Sequence, residues 1–242
     1  MTVYRLFNRS VIRLSPLAPE EDTTGFLQAL VTNDVAQSSP VWAGLLSAQG
    51  KAMFDFIIWH DGADILIDCE ELQAPDLVKR LSLYRLRRKI GIGVDASLGV
   101  WWSKEAFGGA IADPRMKQLG FRSIAPVSDT DIAGDELWQQ HRLALQVPEG
   151  HGELGDILWL ETNAAELNGV SFSKGCYIGQ ENTARMNWRQ KVNRRLLVVP
   201  LERSDEKRRK TAYPDLGLAI DHLRVTDIPP ELTPFWIQPH DC

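Results

Sequence analysis

The stretch from Trp42 to Cys69 limits the fold more than any other part of this chain. Three mostly apolar runs, Trp42–Ala48, Ala52–Trp59 and Asp64–Cys69, are separated by Gln49-Gly50 and Asp61-Gly62. Both junctions carry glycine, which adopts positive φ without steric cost, where tight hairpin loops require it. The pattern predicts an antiparallel meander. Helical periods interrupt it on both sides. Asp22 is placed to cap a helix whose apolar face is Phe26, Leu27, Leu30 and Val31, closed by Thr32-Asn33-Asp34. Pro75 opens a second helix to about Lys89, with Leu77, Leu81 and Tyr84 on one side. Helices alternating with hairpins predict an α+β fold of mixed antiparallel sheets rather than a doubly wound parallel sheet.

Further strands are expected at Val3–Phe7, Val11–Leu14, Ile90–Val94, Leu98–Trp102 and Leu196–Leu201, and a helix at Asp135–Gln146 that ends before Pro148. Gly108 to Pro126 reads as loop. The charge run at 202–210 reads as a solvated loop or hairpin tip. The last thirty residues carry several prolines and little periodicity.

Composition excludes several classes. The 242 residues suffice for one large or two small domains. With 27 basic against 32 acidic residues, the net charge of −5 gives no global attraction to nucleic acid or anionic lipid. No run approaches the roughly 20 apolar residues that span a bilayer, so no membrane association is expected. The opening "MTVYRLFNRSVIRLS" holds three arginines and no acid, as mitochondrial presequences do, but its two short strand patterns make it part of the fold. Cys69, Cys176 and Cys242 are far apart and odd in number, which speaks for a reducing compartment and against a disulfide framework. No two form a CxxC pair, so a self-contained metal or cluster site is not expected.

Within "FSKGCYIGQENTAR" (172–185), Gly175 and Gly179 flank Cys176-Tyr177-Ile178 and put the thiol on a short turn. Lys174 is near enough in sequence to lower the thiol pKa by charge. A nucleophilic cysteine needs a base, and the five histidines (60, 141, 151, 222 and 240) show no diagnostic spacing. Residue types alone leave Cys176 open between a functional thiol and an inert buried one. GxGxxG after a strand, the P-loop and HExxH are all missing. Asp55, alternating with apolar neighbours in mid-strand, lies either on a solvated face or in a pocket, where a buried carboxylate can hold the edge of a pterin. The basic stretches Arg85–Lys89 and 185–195 read first as solvated helix faces and second as RNA or polyglutamate contacts.

"KGCYIGQE" (174–181) resembles the defining motif of the YgfZ/GcvT-like folate-binding proteins. "FLQALVTNDV" (26–35), "LLSAQGKAMFDFIIW" (45–59), "YRLRRKI" (84–90), "DPR" with "LGFR" (113–122) and "HRLALQVPEG" (141–150) follow in the family's order. The resemblance implies a fold related to the glycine-cleavage aminomethyltransferase: a folate-binding domain over 1–190 around a central channel, then a reduced β-barrel-like segment over 191–242. It implies a cytoplasmic bacterial protein, or alternatively one of the mitochondrial matrix. Such a protein would bind tetrahydrofolate and help assemble or repair iron–sulfur clusters in client proteins, including tRNA-modifying radical enzymes. Its partners would be folate, iron–sulfur client or assembly proteins and, weakly, tRNA. Matching motif positions makes Cys176 the functional thiol, with Lys174, Gly175, Tyr177, Gly179, Gln180, Glu181 and Arg185 around it. Asp55 and Arg142 are the folate-pocket candidates. The aminomethyltransferases carry paired acids where this chain has Phe54-Asp55, so aminomethyl transfer is not implied. A tetrahydrofolate-dependent one-carbon transferase or demethylase acting on a small amine is the alternative reading.

Overall fold

Strand β3 (Val41–Leu46) turns through Gly50 into β4 (Ala52–Asp61), which turns through Gly62 into β5 (Asp64–Glu70); both glycines have positive φ. The computed structural model, which describes residues 2–36, 40–188 and 192–237, shows the expected meander. It extends into a five-stranded antiparallel sheet through β2 (Arg9–Pro16) and β6 (Ile90–Val94), in the order β3-β4-β5-β2-β6. Side chains alternate across a strand, and both faces of this sheet are buried.

One face carries Ile12, Leu14, Ala43, Leu45, Phe56, Ile58, Ile65 and Ile67. Helices α1 (Thr23–Gln28) and α2 (Ala74–Arg85) supply Phe26, Leu27, Leu77 and Leu81 to that same core cluster. Asp22 caps α1 as expected, accepting from the Gly25 amide at 2.9 Å. The opposite face carries Val11, Trp42, Ile57, Trp59 and Leu66. It shares its core with a four-stranded sheet ordered β1-β7-β9-β8, built from β1 (Tyr4–Leu6), β7 (Leu98–Ser103), β8 (Ile111–Ala112) and β9 (Phe121–Pro126). Helix α3 (Asp135–Ala144) adds Trp138 and Leu143 to that core. Two more short helices follow, α4 (His151–Leu154) and α5 (Gln180–Trp188). A third sheet, β10-β12-β11, comprises β10 (Arg194–Pro200), β11 (Arg209–Tyr213) and β12 (Leu218–Arg224). Its Leu196, Val198 and Ile220 join the inter-sheet core, while Leu197, Val199 and Ala219 pack under Ile228 and Leu232.

The structure corrects four expectations. Residues 108–126 are not loop throughout: β9 pairs with β7 along six positions, its apolar alternation hidden by Arg122, which is fully buried as an ion-pair partner. The last thirty residues contain β12, in which Asp221 is buried and accepts from Ser204 and the Asp205 amide. The second helix stops at Arg85, because Leu86 has φ 51° and ψ −114°. Arg195 belongs not to a solvated helix but to β10, buried and paired with Glu166 at 2.6 Å. The expected strands at the N-terminus are present as β1 and β2. No helix among the described residues is long and apolar enough to cross a membrane.

Charge, as well as apolar contact, joins the two larger sheets. Asp68 of β5 accepts from Arg9 Nε at 2.6 Å and from Arg122 Nη1 at 3.0 Å, and Arg122 Nε donates to Asp113 at 2.8 Å. Removing one member of a buried pair leaves an uncompensated charge, which costs about 3–5 kcal/mol. We expect Arg122→Met to destabilise the protein by that amount, read as a lower midpoint in urea unfolding.

Candidate functional site

The motif loop 171–179 projects from the core and is held at both ends. Lys174 points into the fold: its Nζ donates to the carbonyls of Gln28 (2.7 Å) and Val31 (2.5 Å) at the carboxyl end of α1 and lies 5.0 Å from the Tyr177 ring centre. Cations are favourable at that end of a helix, where carbonyls lack partners. Burial pushes the ammonium down to about 8, with Asp34 opposing the shift. The donors of Lys174 are thus spent on these two carbonyls, which anchors the start of the loop.

At the other end, Tyr177 packs in the inter-sheet core, and the Gln180 side chain accepts from the Tyr177 amide at 3.2 Å as α5 begins. Gly179 has φ 80°, and a Cβ there would meet the Ser47 carbonyl oxygen at 2.5 Å and Gly50 Cα at 3.0 Å. Gly50 faces it with φ 78°, and Asn182 donates to the Gln49 carbonyl at 2.5 Å. Two glycines thus let the β3–β4 turn and the motif approach backbone to backbone. Glu181 and Arg185 form an exposed i,i+4 pair on α5 at 2.9 Å. Between the anchors, Gly175 has open space around it and Cys176 is an exposed free thiol.

A groove of about 640 Å³ adjoins this loop, lined by Asn33, Val41, Asn168, Ser171, Phe172 and Trp188 among others; Trp188 and Phe172 are exposed. Cys69, by contrast, is buried under α1 and α2, and burial pushes its thiol up to about 12. Cys242 and His240 lie outside the described residues. Among the described residues no group of three or more His, Cys, Asp or Glu is arranged to hold a metal ion.

Asp55 and Arg142 fall in a different part of the molecule. Asp55 lies on the inter-sheet face of β4, accepting from Trp42 Nε1 at 3.3 Å and from the Gly150 amide at 3.2 Å. Around it are buried four guanidinium groups (Arg9, Arg115, Arg122, Arg142) and three further carboxylates (Asp68, Asp113, Glu153), with partly buried Glu149 as a fourth. Glu149 faces all four arginines, which hold it well below the usual carboxylate range against its burial. Asp55 is the fifth acid among four bases. Burial pushes it up to about 6, with Arg9 opposing and Glu149 adding to the rise.

Above this network opens a cavity of about 310 Å³ lined by Arg9, Trp138, Arg142, Glu149, Gly150, Glu153 and, from β11, Thr211 and Tyr213. Arg142 forms part of the wall and pairs with Glu153 at 2.6 Å, while Tyr213 donates its hydroxyl to Glu153. Asp55 stands one hydrogen bond behind the wall, through Gly150. Nothing in the sequence singles out Arg9, Glu149, Glu153 or Tyr213. Three of these are charged types that a single sequence assigns to solvent, and none sits in a diagnostic spacing.

With this geometry in hand, comparison with known proteins becomes informative. No family model matches the sequence. The human "Iron-sulfur cluster assembly factor IBA57, mitochondrial" is 34% identical over 237 residues, covering 81% of this chain and 65% of that protein. The mouse protein of the same name is 31% identical, covering 83% and 66%, and the Neurospora crassa homologue is 30% identical, covering 73% and 49%. Over most of its length this chain is similar to mitochondrial proteins named as iron–sulfur cluster assembly factors. It spans just under two thirds of the length of the human and mouse relatives. In structure it is similar to the glycine cleavage system aminomethyltransferase T of Bartonella henselae, with a TM-score of 0.68 over 93% of this chain and 78% of that one. At 10% identity that likeness speaks for the fold alone, and it agrees with the α+β architecture expected from the sequence.

Two outcomes follow from the geometry. Asp55 prefers a proton more in the folded protein than in the unfolded chain, so the folded state binds more protons between pH 4 and 6 and loses stability as pH rises through that window. Relative to Asp55→Asn, wild-type stability should fall by roughly 3 kcal/mol across it, at about 1.4 kcal/mol per unit, and then level off; urea titrations at a series of pH values measure this. Gly179→Ala forces a side chain onto the Ser47 carbonyl and into a strained φ. We expect a cost of about 1–3 kcal/mol, with faster amide exchange over 175–182 and unchanged protection of the sheets.

Proposed function

We propose that this chain is an accessory factor in iron–sulfur cluster assembly or repair and that Cys176 is its working thiol. The observation that carries the reading is a free, exposed cysteine on a loop clamped on both sides, in a chain similar to proteins named as assembly factors. One thiol supplies one ligand, so a partner must provide the remaining ligands of any iron or cluster it handles. A loop anchored by Lys174 and Gly179 holds the sulfur in a fixed place at little entropic cost on binding, the advantage of preorganisation. Clients, under this reading, include tRNA-modifying radical enzymes. The compartment, under this reading, is a reducing one, bacterial cytoplasm or mitochondrial matrix, and the relatives are named as mitochondrial.

Tetrahydrofolate belongs to the same proposal and takes the cavity beside the buried charge network. The donor set suits a pterin: the Glu149 and Glu153 carboxylates accept from an amine-rich edge, and Trp138 offers an aromatic surface. Arg142 would hold the wall, and Asp55, partly protonated near neutrality, would sit behind Gly150. Tetrahydrofolate would supply one-carbon chemistry when bound. For tRNA, two of the basic residues are already engaged, Arg88 with Glu21 and Lys89 with Glu20, which weakens that reading.

The test is complementation of a strain lacking its own homologue, with wild type and Cys176→Ala, scored by iron–sulfur enzyme activities. Wild type should restore them and Cys176→Ala should not; equal rescue removes the thiol from the mechanism. Calorimetry with tetrahydrofolate forms a second arm, in which Arg142→Met should weaken binding about tenfold, near 1.4 kcal/mol. Tetrahydrofolate-dependent formaldehyde release that survives Cys176→Ala and fails in Asp55→Asn would favour the one-carbon enzyme instead.

A further inference from the structure

The corner between α2 and β6 is built against local preference. The Arg88 amide donates to the Arg85 carbonyl at 2.9 Å, closing a four-residue turn over 85–88. Leu86, its second residue, has φ 51° and ψ −114°, close to the values of about +60° and −120° that define the first central position of a type II′ turn. That position is dominated by glycine, because a side chain there crowds the backbone. A branched side chain is held in strain, and packing does not explain it: Leu86 is 85% exposed.

A solitary exposed leucine means little. This one stands one helical turn from Leu83, itself 62% exposed, in a strongly basic stretch. Between residues 77 and 94 there are six basic residues, Lys79, Arg80, Arg85, Arg87, Arg88 and Lys89, and no acid. Arg88 and Lys89 are matched by Glu21 and Glu20, and Arg85 donates to the Ile90 carbonyl. Among the described residues Lys79, Arg80 and Arg87 make no ion pair. An excess of positive charge around protruding aliphatic side chains, with Asp76 adjoining Lys79 and Arg80 on α2, is complementary to an acidic surface carrying apolar side chains, on a chain whose net charge is −5.

We propose that Lys79, Arg80, Leu83, Leu86 and Arg87 form a docking surface for a protein partner whose contacting segment is acidic and aliphatic. The leucines favour a protein over RNA: phosphate recognition requires the cations alone, whereas strained, exposed Leu86 offers apolar area that an aliphatic partner side chain can remove from water. The surface goes beyond the thiol reading, since none of its residues belongs to the Cys176 loop. It does share a support with that loop. Arg88 donates to the Asp22 carbonyl at the start of α1, and Lys174 donates to the carbonyls at its end. The six residues between them span only about 9 Å.

The test uses the full chain and three probes in fluorescence anisotropy and sedimentation: a synthetic amphipathic peptide with glutamates on one face and leucines on the other, an RNA hairpin, and phosphatidylglycerol vesicles. The peptide should bind, about tenfold more weakly to Leu83→Ser with Leu86→Ser, and with reduced salt dependence to Arg80→Gln with Arg87→Gln. Leu86→Gly separates contact from structure: it should raise the thermal midpoint by relieving the turn while still weakening the peptide. Cys176→Ala should bind the peptide as wild type does, so this surface and the thiol reading fail or stand separately. The proposal is overturned if the peptide does not bind, if its affinity ignores the leucines, if RNA or vesicles bind more tightly and lose affinity only with the arginines, or if Leu86→Gly lowers the midpoint.

Discussion

Asp68 accepts from Arg9 within its own sheet and from Arg122 across the interface, and much of the molecule is arranged around that one carboxylate. Both its oxygens are engaged, and its side chain is wholly excluded from solvent. An apolar interface between the two larger sheets tolerates sliding, because aliphatic contacts are not directional. A carboxylate shared by two guanidinium groups fixes both partners to within a hydrogen bond. Arg122 then carries the constraint outward to Asp113, and Asp113 with Arg115 carries it to Glu149 at the cavity wall. Such networks are weak evidence for stability. Here the network sets the position of β9 against β5 and of residues 149–153 against both.

The same network explains why Asp55 differs chemically from its neighbours. Four guanidinium groups can neutralise four carboxylates, and Asp68, Asp113, Glu149 and Glu153 are in direct contact with them. Asp55 is left with an indole and a peptide amide, both neutral donors. Burial without a direct cation partner raises a carboxyl pKa, and this is the acid whose proton is exchangeable near neutral pH. A perturbed carboxyl one hydrogen bond behind a cavity wall is a mark of functional sites as well as of structural networks; the stoichiometry of charges explains its origin without appeal to either.

The meander at 41–69 was legible in the sequence because its apolar residues face two cores and its turns are marked by glycine. Strand β9 and strand β12 were not, and the cause is the same in both. Arg122 and Asp221 sit at inward positions, where buried partners replace the apolar residues that period-two reading requires. Helix α2 was read past its end because nothing in "YRLRRKI" signals a stop: the turn uses leucine where glycine would have announced it. The motif loop was legible as a glycine-flanked turn, but the anchoring of Lys174 beside α1 was not. Adjacency in sequence points only to the thiol, whereas the side chain reaches the carbonyls of Gln28 and Val31, 146 and 143 positions earlier.

Positive φ occurs at Gly50, Gly179 and Leu86, and the comparison among them separates two kinds of constraint. At 50 and 179 the residue type agrees with the backbone, and the agreement serves packing: β3, β4 and the motif meet more closely than any side chain would permit. At 86 the residue type opposes the backbone, and no packing in the fold compensates for it. Local choices that fit the global structure are what make a sequence fold, and departures tend to collect where something other than folding sets the residue. The Cys176 loop obeys the first kind of logic, since Lys174, Tyr177 and Gly179 anchor it on both sides. Leu86 obeys the second, and its side chain gains nothing until another surface covers it.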